Sequence, residues 1–233
     1  MKGLLVALEG SDGCGKGTQT GKLSGRLAAE GYLVKKVEFP NYDSPSSSLI
    51  KMYLDGTFGG EPGDVNPYIA STFYTVDRYA TYKKTLEGFY RQGGVIIADR
   101  YTTANMVHQT VKISGSAAKE NYLQWLLDFE YRLFQLPQPD CVVFLDMPPE
   151  YSGRLLEARA EKTDLAGKDI HEKDKNYMIQ SYYSALEMAD RFQWARVNCV
   201  ADGKLRSIEE IHEDVYSIVK LVLDSGNAKR SGF

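Results

Sequence analysis

Gly10-Ser11-Asp12-Gly13-Cys14-Gly15-Lys16-Gly17-Thr18-Gln19, close behind the start of the chain, sets glycines, a lysine and hydroxyls at the spacing a phosphate cradle needs. Glycines let the backbone curl so that successive N–H groups point inward. A helix opening just after the turn adds its free N–H groups and the positive end of its dipole. Lys16 adds a mobile charge that can follow the outer phosphates. The chemistry implied is binding of a nucleoside triphosphate and transfer of its terminal phosphoryl group. Position 17, where a hydroxyl residue usually follows the lysine, is Gly. Direct magnesium ligation from that position is therefore impossible, and Thr18 is left to bind a phosphate or to reach the metal through water. The alternative is a glycine-rich turn with no ligand. It does not explain why strand, turn, lysine and helix pattern all agree.

Other chemistry-bearing residues fall after apolar runs. Glu9 and Asp12 follow Leu4–Leu8, Phe39-Pro40-Asn41-Tyr42-Asp43 follows a second run, and Asp99-Arg100-Tyr101 follows Val95–Ala98. An Asp at a strand end beside a phosphate cradle can hold magnesium and its water, and an adjacent Arg can clamp a second phosphate through two N–H groups. A local ion pair is the plainer reading of Asp99-Arg100. Tyr74 and Arg78, four residues apart, share a helix face that offers a platform and a donor fork to a base. The alternative is a core face with Arg78 paired to a carboxylate. Cys14, near Lys16 at a helix N-terminus, sits where a thiolate is favoured. A small residue fitting a tight loop explains it more simply. His108, His171 and His212 lie too far apart in sequence to argue for a metal site. His108 falls near the proposed pocket, and His212 is expected on the surface.

The elements that must position these groups follow an alternating pattern of short apolar strands and helical periodicities, which predicts a parallel sheet covered on both faces. Strands are expected at Leu4–Glu9, Leu33–Phe39, Val95–Ala98, Cys141–Leu145 and Arg196–Val200. Val95–Ala98 is the most apolar and is expected at the sheet centre. Helices are expected at Lys16–Glu30, Ser48–Leu54, Pro67–Tyr90, Ala117–Phe134, Tyr151–Ala160 and Asn176–Ala189, with a last amphipathic helix from Ile208 to Val222. The polar stretch Glu161–Lys175 reads as an exposed flap. A single domain spans 1–225, and 226–233 is expected to fray. The 233 residues carry a net charge of -3 with mixed signs, which argues against a nucleic-acid polymer or a membrane surface as partner. Three scattered cysteines form neither a zinc spacing nor a disulfide framework, so a reducing, cytoplasmic setting is expected.

With these residues in hand, the chain resembles the thymidylate kinase family of nucleoside monophosphate kinases. The Glu-Gly-x-Asp-Gly-x-Gly-Lys loop, the Phe-Pro loop, the helical Asp77-Arg78, and Asp99-Arg100-Tyr101 followed by Asn105 agree in type and order. The resemblance implies an α/β, three-layer fold with a five-stranded parallel sheet, usually a homodimer. It implies transfer of the terminal phosphate of ATP to dTMP, giving dTDP and ADP, with Mg2+. By position, Gly10 to Thr18 bind the donor. Asp12 lies near the acceptor's 3′-hydroxyl and the transferred phosphate. Tyr42 and Arg100 face the acceptor phosphate, Tyr74 stacks on thymine, and Arg78 and Asn105 contact the base. Asp99 and Thr18 serve the metal. His108 stands where the family more often has Tyr or Phe near the sugar. The arginine common in the Phe-Pro loop is missing. Some members carry a catalytic arginine directly after the loop Asp; Gly13 puts this chain with those that use a mobile lid instead. The stretch 159–173 then reads as that lid, with Arg159 the first choice among Arg159, Lys162, Lys168 and Lys173, and with Arg154 able to face the donor adenine. Asp169-Ile170-His171-Glu172 resembles a motif that follows the lid. A kinase for another nucleoside monophosphate is the nearest alternative, and a non-catalytic nucleotide-binding regulator the alternative of a different class. A monophosphate panel, and binding without ADP formation, separate them.

Overall fold

A strand apolar on both sides has to be covered on both sides. Leu4–Glu9 (β1) is buried at every position. Leu4, Val6 and Leu8 pack into one cluster, and Leu5 and Ala7 into a second on the opposite face. The structure is a computed structural model describing residues 2–162 and 170–228, with side chains described except at 159–162, 172–173 and 226–228. After β1 come α1 (Lys16–Ala29), β2 (Val34–Glu38), α2 (Ser48–Leu54), α3 (Pro67–Thr81), a π-helical turn at Tyr82–Leu86, α4 (Glu87–Arg91) and β3 (Val95–Asp99). Next are α5 (Thr102–Thr110), α6 (Ser116–Leu127), a second π-helical turn at Asp128–Leu133, β4 (Cys141–Asp146), α7 (Pro149–Lys162), α8 (Ile170–Lys173) and α9 (Lys175–Arg191). The chain closes with β5 (Ala195–Asn198), the short ribbon β6 (Val200–Ala201) and β7 (Lys204–Leu205), and α10 (Ile208–Ala228).

Five strands pair in parallel in the order β2-β3-β1-β4-β5. The expected α/β three-layer fold is therefore present. Helices α1 and α10 cover one face through Leu23, Leu27, Val215 and Val219. The other face carries α5, α6 and α9 and the helix that runs through Tyr82 to Tyr90. The sheet centre is β1, which corrects the expectation for Val95–Ala98. Uniform apolarity reports cover on both faces, and β3, one place away, has that cover without being the middle strand. Register sets Leu8 beside Asp99 and Glu38 beside Asp99, so the acidic strand ends share one edge of the sheet.

Two further differences have physical causes. No element is expected at Thr102–Thr110, whose threonines are weak helix formers. The helix forms because seven of its residues are buried, and packing overrides propensity. His212, expected on the surface, is buried, since α10 packs its side against α1. Of the expected lid at 159–173, residues 163–169 lie outside the described residues, Lys168 and Asp169 among them. So do 229–233 of the expected frayed tail.

Candidate active site

The turn after β1 holds Gly13 and Gly15 at φ 81° and 92°, in the left-handed region that glycine alone enters freely. Gly15 is also the residue from which α1 starts. Gly13 has a second reason to be glycine. A Cβ there would stand 2.6 Å from the Ser152 carbonyl oxygen and 2.7 Å from Leu156, both on α7. Lys16 is buried, and its Nζ donates to the carbonyls of Gly10 and Ser11 at 2.9 Å each. Asp12 Oδ1 is 3.8 Å away. The lysine is thus curled over its own loop. Cys14 is buried, and burial pushes its thiol up despite the nearby Lys16. That corrects the thiolate reading: Cys14 fills space in a tight loop. Gly17 and Thr18 are exposed at the mouth.

Asp99 ends β3 buried, with Oδ2 3.5 Å from where a Cβ on Gly17 would lie. Among the described residues, its carboxylate accepts no hydrogen bond. Arg100, the next residue, has φ 64°, a left-handed backbone costly for a side chain this large. Its N–H donates to the Leu8 carbonyl at 3.0 Å. Nη1 donates to Glu9 Oε1 at 3.0 Å and to His108 Nε2 at 3.1 Å, and Nη2 donates to Asp12 Oδ1 at 2.6 Å. Glu9, fully buried, also accepts from the Gly10 N–H and from Thr103 Oγ1. Burial opposes the charge on Asp12, but Arg100 and Lys16 hold its carboxyl well below the usual range. The local Asp99-Arg100 ion pair does not form among the described residues: Arg100 pairs with Glu9 and Asp12 instead and lines the cleft.

Asp77 and Arg78, adjacent on α3, serve different neighbours. Asp77 accepts from the Asn41 N–H at 2.8 Å and from Ser46 Oγ at 2.6 Å, which ties down the Phe-Pro loop, whose Phe39–Pro40 peptide is cis. Arg78 is almost fully buried. Its Nε and Nη2 grip both oxygens of Glu130, and Nη1 reaches the Tyr101 carbonyl at 3.3 Å. Glu130 also accepts from Thr75 at 3.0 Å, Thr102 at 2.6 Å and Asn105 at 3.2 Å. The carboxylate-paired reading of Arg78 is thus realised, while Arg78 also lines the cleft. Sequence reasoning misses Glu130. Its only signal there is a lone acid between Phe129 and Tyr131, in what is the second π-helical turn.

Tyr74, Asn105 and His108 line the same cleft as Arg78. Tyr74 meets the ring of Tyr53 edge-on at 6.4 Å. Tyr42 stands at the rim, 43% exposed. The histidines that looked unrelated are neighbours, with His108 and His171 rings stacked at 5.9 Å. The Tyr53 hydroxyl bridges His171 Nε2 at 2.9 Å and the Lys112 ammonium at 2.6 Å. Burial, with Lys112 adding to it, pushes His171 down to about 3, and burial pushes Lys112 down to about 7. No group of three metal-ligating side chains of the His, Cys, Asp and Glu type occurs among the described residues. Leu205, at the end of β7, and Arg206, just after it, also line the cleft, which no motif announced. Arg154 is exposed with its guanidinium 5.7 Å over the Tyr151 ring, and its neighbour Leu155 lines the cleft. The Arg159 side chain lies outside the described residues.

One cleft of about 890 Å³ runs from Lys16 and Thr18 past Asp99 and Arg100 to Tyr74 and Asn105. A glycine-rich loop with its lysine and the Asp99-Arg100 strand end, sharing one cleft at the carboxyl edge of a parallel sheet, define a P-loop nucleoside monophosphate kinase. A family model described as thymidylate kinase matches residues 8–215. The thymidylate kinase of Mycobacterium tuberculosis (strain ATCC 25618 / H37Rv) is 32% identical over 172 residues, 73% of this chain and 78% of its own. That of Bifidobacterium longum (strain NCC 2705) is 27% identical over 179 residues, 77% of this chain and 84% of its own. The solved structure of a thymidylate kinase from Candida albicans shares the fold at a TM-score of 0.70 and 21% identity, covering 94% of this chain and 92% of that one. The chain belongs to the thymidylate kinase family, and its activity is phosphoryl transfer to dTMP.

Proposed function

We propose that ATP lies with its phosphates on Gly10 to Thr18 and that dTMP lies against Tyr74, Arg78 and Asn105, its phosphate turned to Tyr42 and to Arg100, which His108 backs. The observation that carries this reading is the continuity of the cleft between the two sets of residues. Lys16 exchanges the Gly10 and Ser11 carbonyls for donor phosphate oxygens. Arg100 exchanges Asp12 for the acceptor phosphate, which frees Asp12 to face the 3′-hydroxyl and the transferred group. Tyr74 offers a flat face for stacking, and Asn105, held through Glu130, reads the base edge. Catalysis is then positioning and charge neutralisation, with little covalent work for the protein.

Magnesium fits this site. Asp99 offers a hard carboxylate, free of hydrogen bonds among the described residues, beside the cradle, and Thr18 offers a hydroxyl at its mouth for contact through water. When bound, the ion neutralises charge on the phosphates that Lys16 and Arg100 already face. Gly13 has no room for a side chain, so a further positive charge has to come from outside the loop. Arg159 is assigned that role, with Arg154 toward the donor base. The stretch 159–173 is assigned to close over the phosphates. Exposed Ile69, Val76 and Tyr79 on one side of α3, with Leu49 and Met52 on α2, support a homodimer through those helices. No helix among the described residues is long and apolar enough to cross a membrane, and a cytoplasmic setting is the expectation for nucleotide synthesis. The test is a panel of nucleoside monophosphates offered with ATP and magnesium. Preference for dTMP by an order of magnitude or more in kcat/KM is expected. Preference for another monophosphate overturns the base assignment, and binding of ATP and dTMP without ADP release overturns the catalytic one.

A further inference from the structure

Arg100 has three side-chain partners of two kinds. Glu9 and Asp12 are carboxylates, and the third is the imidazole of His108, with Nε2 3.1 Å from Nη1. A guanidinium has donors only. Nε2 must therefore be the acceptor, which makes His108 neutral with its proton on Nδ1. Burial and the charge of Arg100 keep it so by pushing its pKa well below the usual histidine range. The ring is held in place from several sides. It lies 8° from parallel to His171 and 26° from parallel to Tyr177, whose hydroxyl donates to the His108 carbonyl at 2.9 Å. Nδ1 is buried with no partner among the described residues. Nothing else is asked of the imidazole there, and its one polar bond goes to Arg100.

The difference in kind matters when an acceptor phosphate arrives. Carboxylates steady Arg100 but repel the incoming negative charge. A neutral nitrogen steadies it without that repulsion. We infer that His108 is a positioning residue whose Nε2 fixes the plane of the Arg100 guanidinium, so that the Nη2 edge turns from Asp12 to the phosphate of a nucleoside monophosphate. This rests on the proposed role of Arg100 at the acceptor phosphate. It locates the work of His108 at the phosphate, and not at the base or sugar.

The test compares dTMP with thymidine, which lacks the phosphate, in direct binding to the full chain by calorimetry. In the native enzyme dTMP should bind far more tightly than thymidine. His108→Phe keeps a stacking ring and loses the acceptor. It should weaken dTMP about tenfold, as loss of a hydrogen bond to a charged group does, while thymidine changes by less than about twofold. His108→Gln, with an oxygen near the place of Nε2, should recover dTMP binding to within about threefold. His108→Asn, whose oxygen falls near Nδ1, should not. ATP affinity and circular dichroism should be unchanged in all three, which separates the effect from misfolding. Equal weakening of dTMP and thymidine by His108→Phe overturns the inference in favour of a sugar or base contact, and leaves the role of Arg100 standing. Failure of His108→Gln to recover dTMP binding also overturns it. Equal affinity of the native enzyme for dTMP and thymidine removes the phosphate role of Arg100 itself.

Discussion

The two ends of the cleft are built differently. At the acceptor end, Arg78, Asn105, Thr75 and Thr102 all donate to one buried carboxylate, Glu130, and Asp77 is spent on the Phe-Pro loop. At the P-loop end, Lys16 rests on carbonyls of its own loop, the Asp99 carboxylate accepts no hydrogen bond among the described residues, and Thr18 is exposed. The network around Glu130 is closed by contacts within the chain. In the proposed function the Lys16 contacts with its own loop are the ones a triphosphate replaces. A preorganised wall serves discrimination between bases, because a site with fixed donors leaves them unpaired when the wrong base enters. A loop with replaceable contacts serves transfer, where the charges must follow a moving phosphoryl group.

Perturbing each end should therefore move different observables. Lys16→Ala should show the largest effect, a fall in turnover of about a thousandfold or more, on the scale of losing a main electrostatic contact to the transferring group. Its melting temperature should stay within about 4 °C, equivalent to about 1 kcal/mol at this chain length. A large thermal loss would mean that the fold depends on the loop contacts as heavily as on those of the wall. Glu130→Ala should invert the pattern. Stripping the buried Arg78 of its partner should cost about 3–5 kcal/mol of stability in denaturant unfolding. Normal stability would show that the network is not a unit. Arg78→Ala, measured kinetically, should raise the KM for dTMP about tenfold with the KM for ATP unchanged, since an unpaired buried group costs about 1–3 kcal/mol. Equal changes for both substrates would return Arg78 to a purely structural role.

The smallest expected effect concerns pH. His171 is held to about 3 when folded and returns to its ordinary value near 6.5 when unfolded. Between these values the unfolded chain binds the proton and the folded chain does not, so stability falls as pH drops from about 6.5 toward about 3. His171→Phe should flatten that slope in thermal unfolding followed across the range. An unchanged slope would place the acid sensitivity on other groups.

What can be read from the sequence divides along the same line. The donor loop is contiguous, so residue types at adjacent positions specify its chemistry, and Gly10 to Thr18 can be recognised without a structure. The acceptor wall depends on meetings across the chain. Arg78 and Glu130 are 52 residues apart, and His108 and His171 come together only when α8 packs against α5 and α9. Nothing local marks Glu130 as the centre of a network. Nor does anything local mark Leu205 and Arg206 as lining the cleft, because a two-residue ribbon has no periodicity to read. The helix at Thr102–Thr110 is hidden for a related reason. Its threonines oppose a helix locally, and the packing that favours it is remote.

The contact of Gly13 with α7 carries a consequence for how this enzyme can change. The space that a side chain at position 13 would need is occupied by the Ser152 carbonyl and the Leu156 side chain, and the backbone there sits at φ 81°. A loop arginine and a closely seated α7 are rival tenants of one volume. A side chain at position 13 has no space while α7 keeps this seat. Gly13→Arg would have to displace α7 at Ser152 and Leu156, so the loop and that helix can change only together.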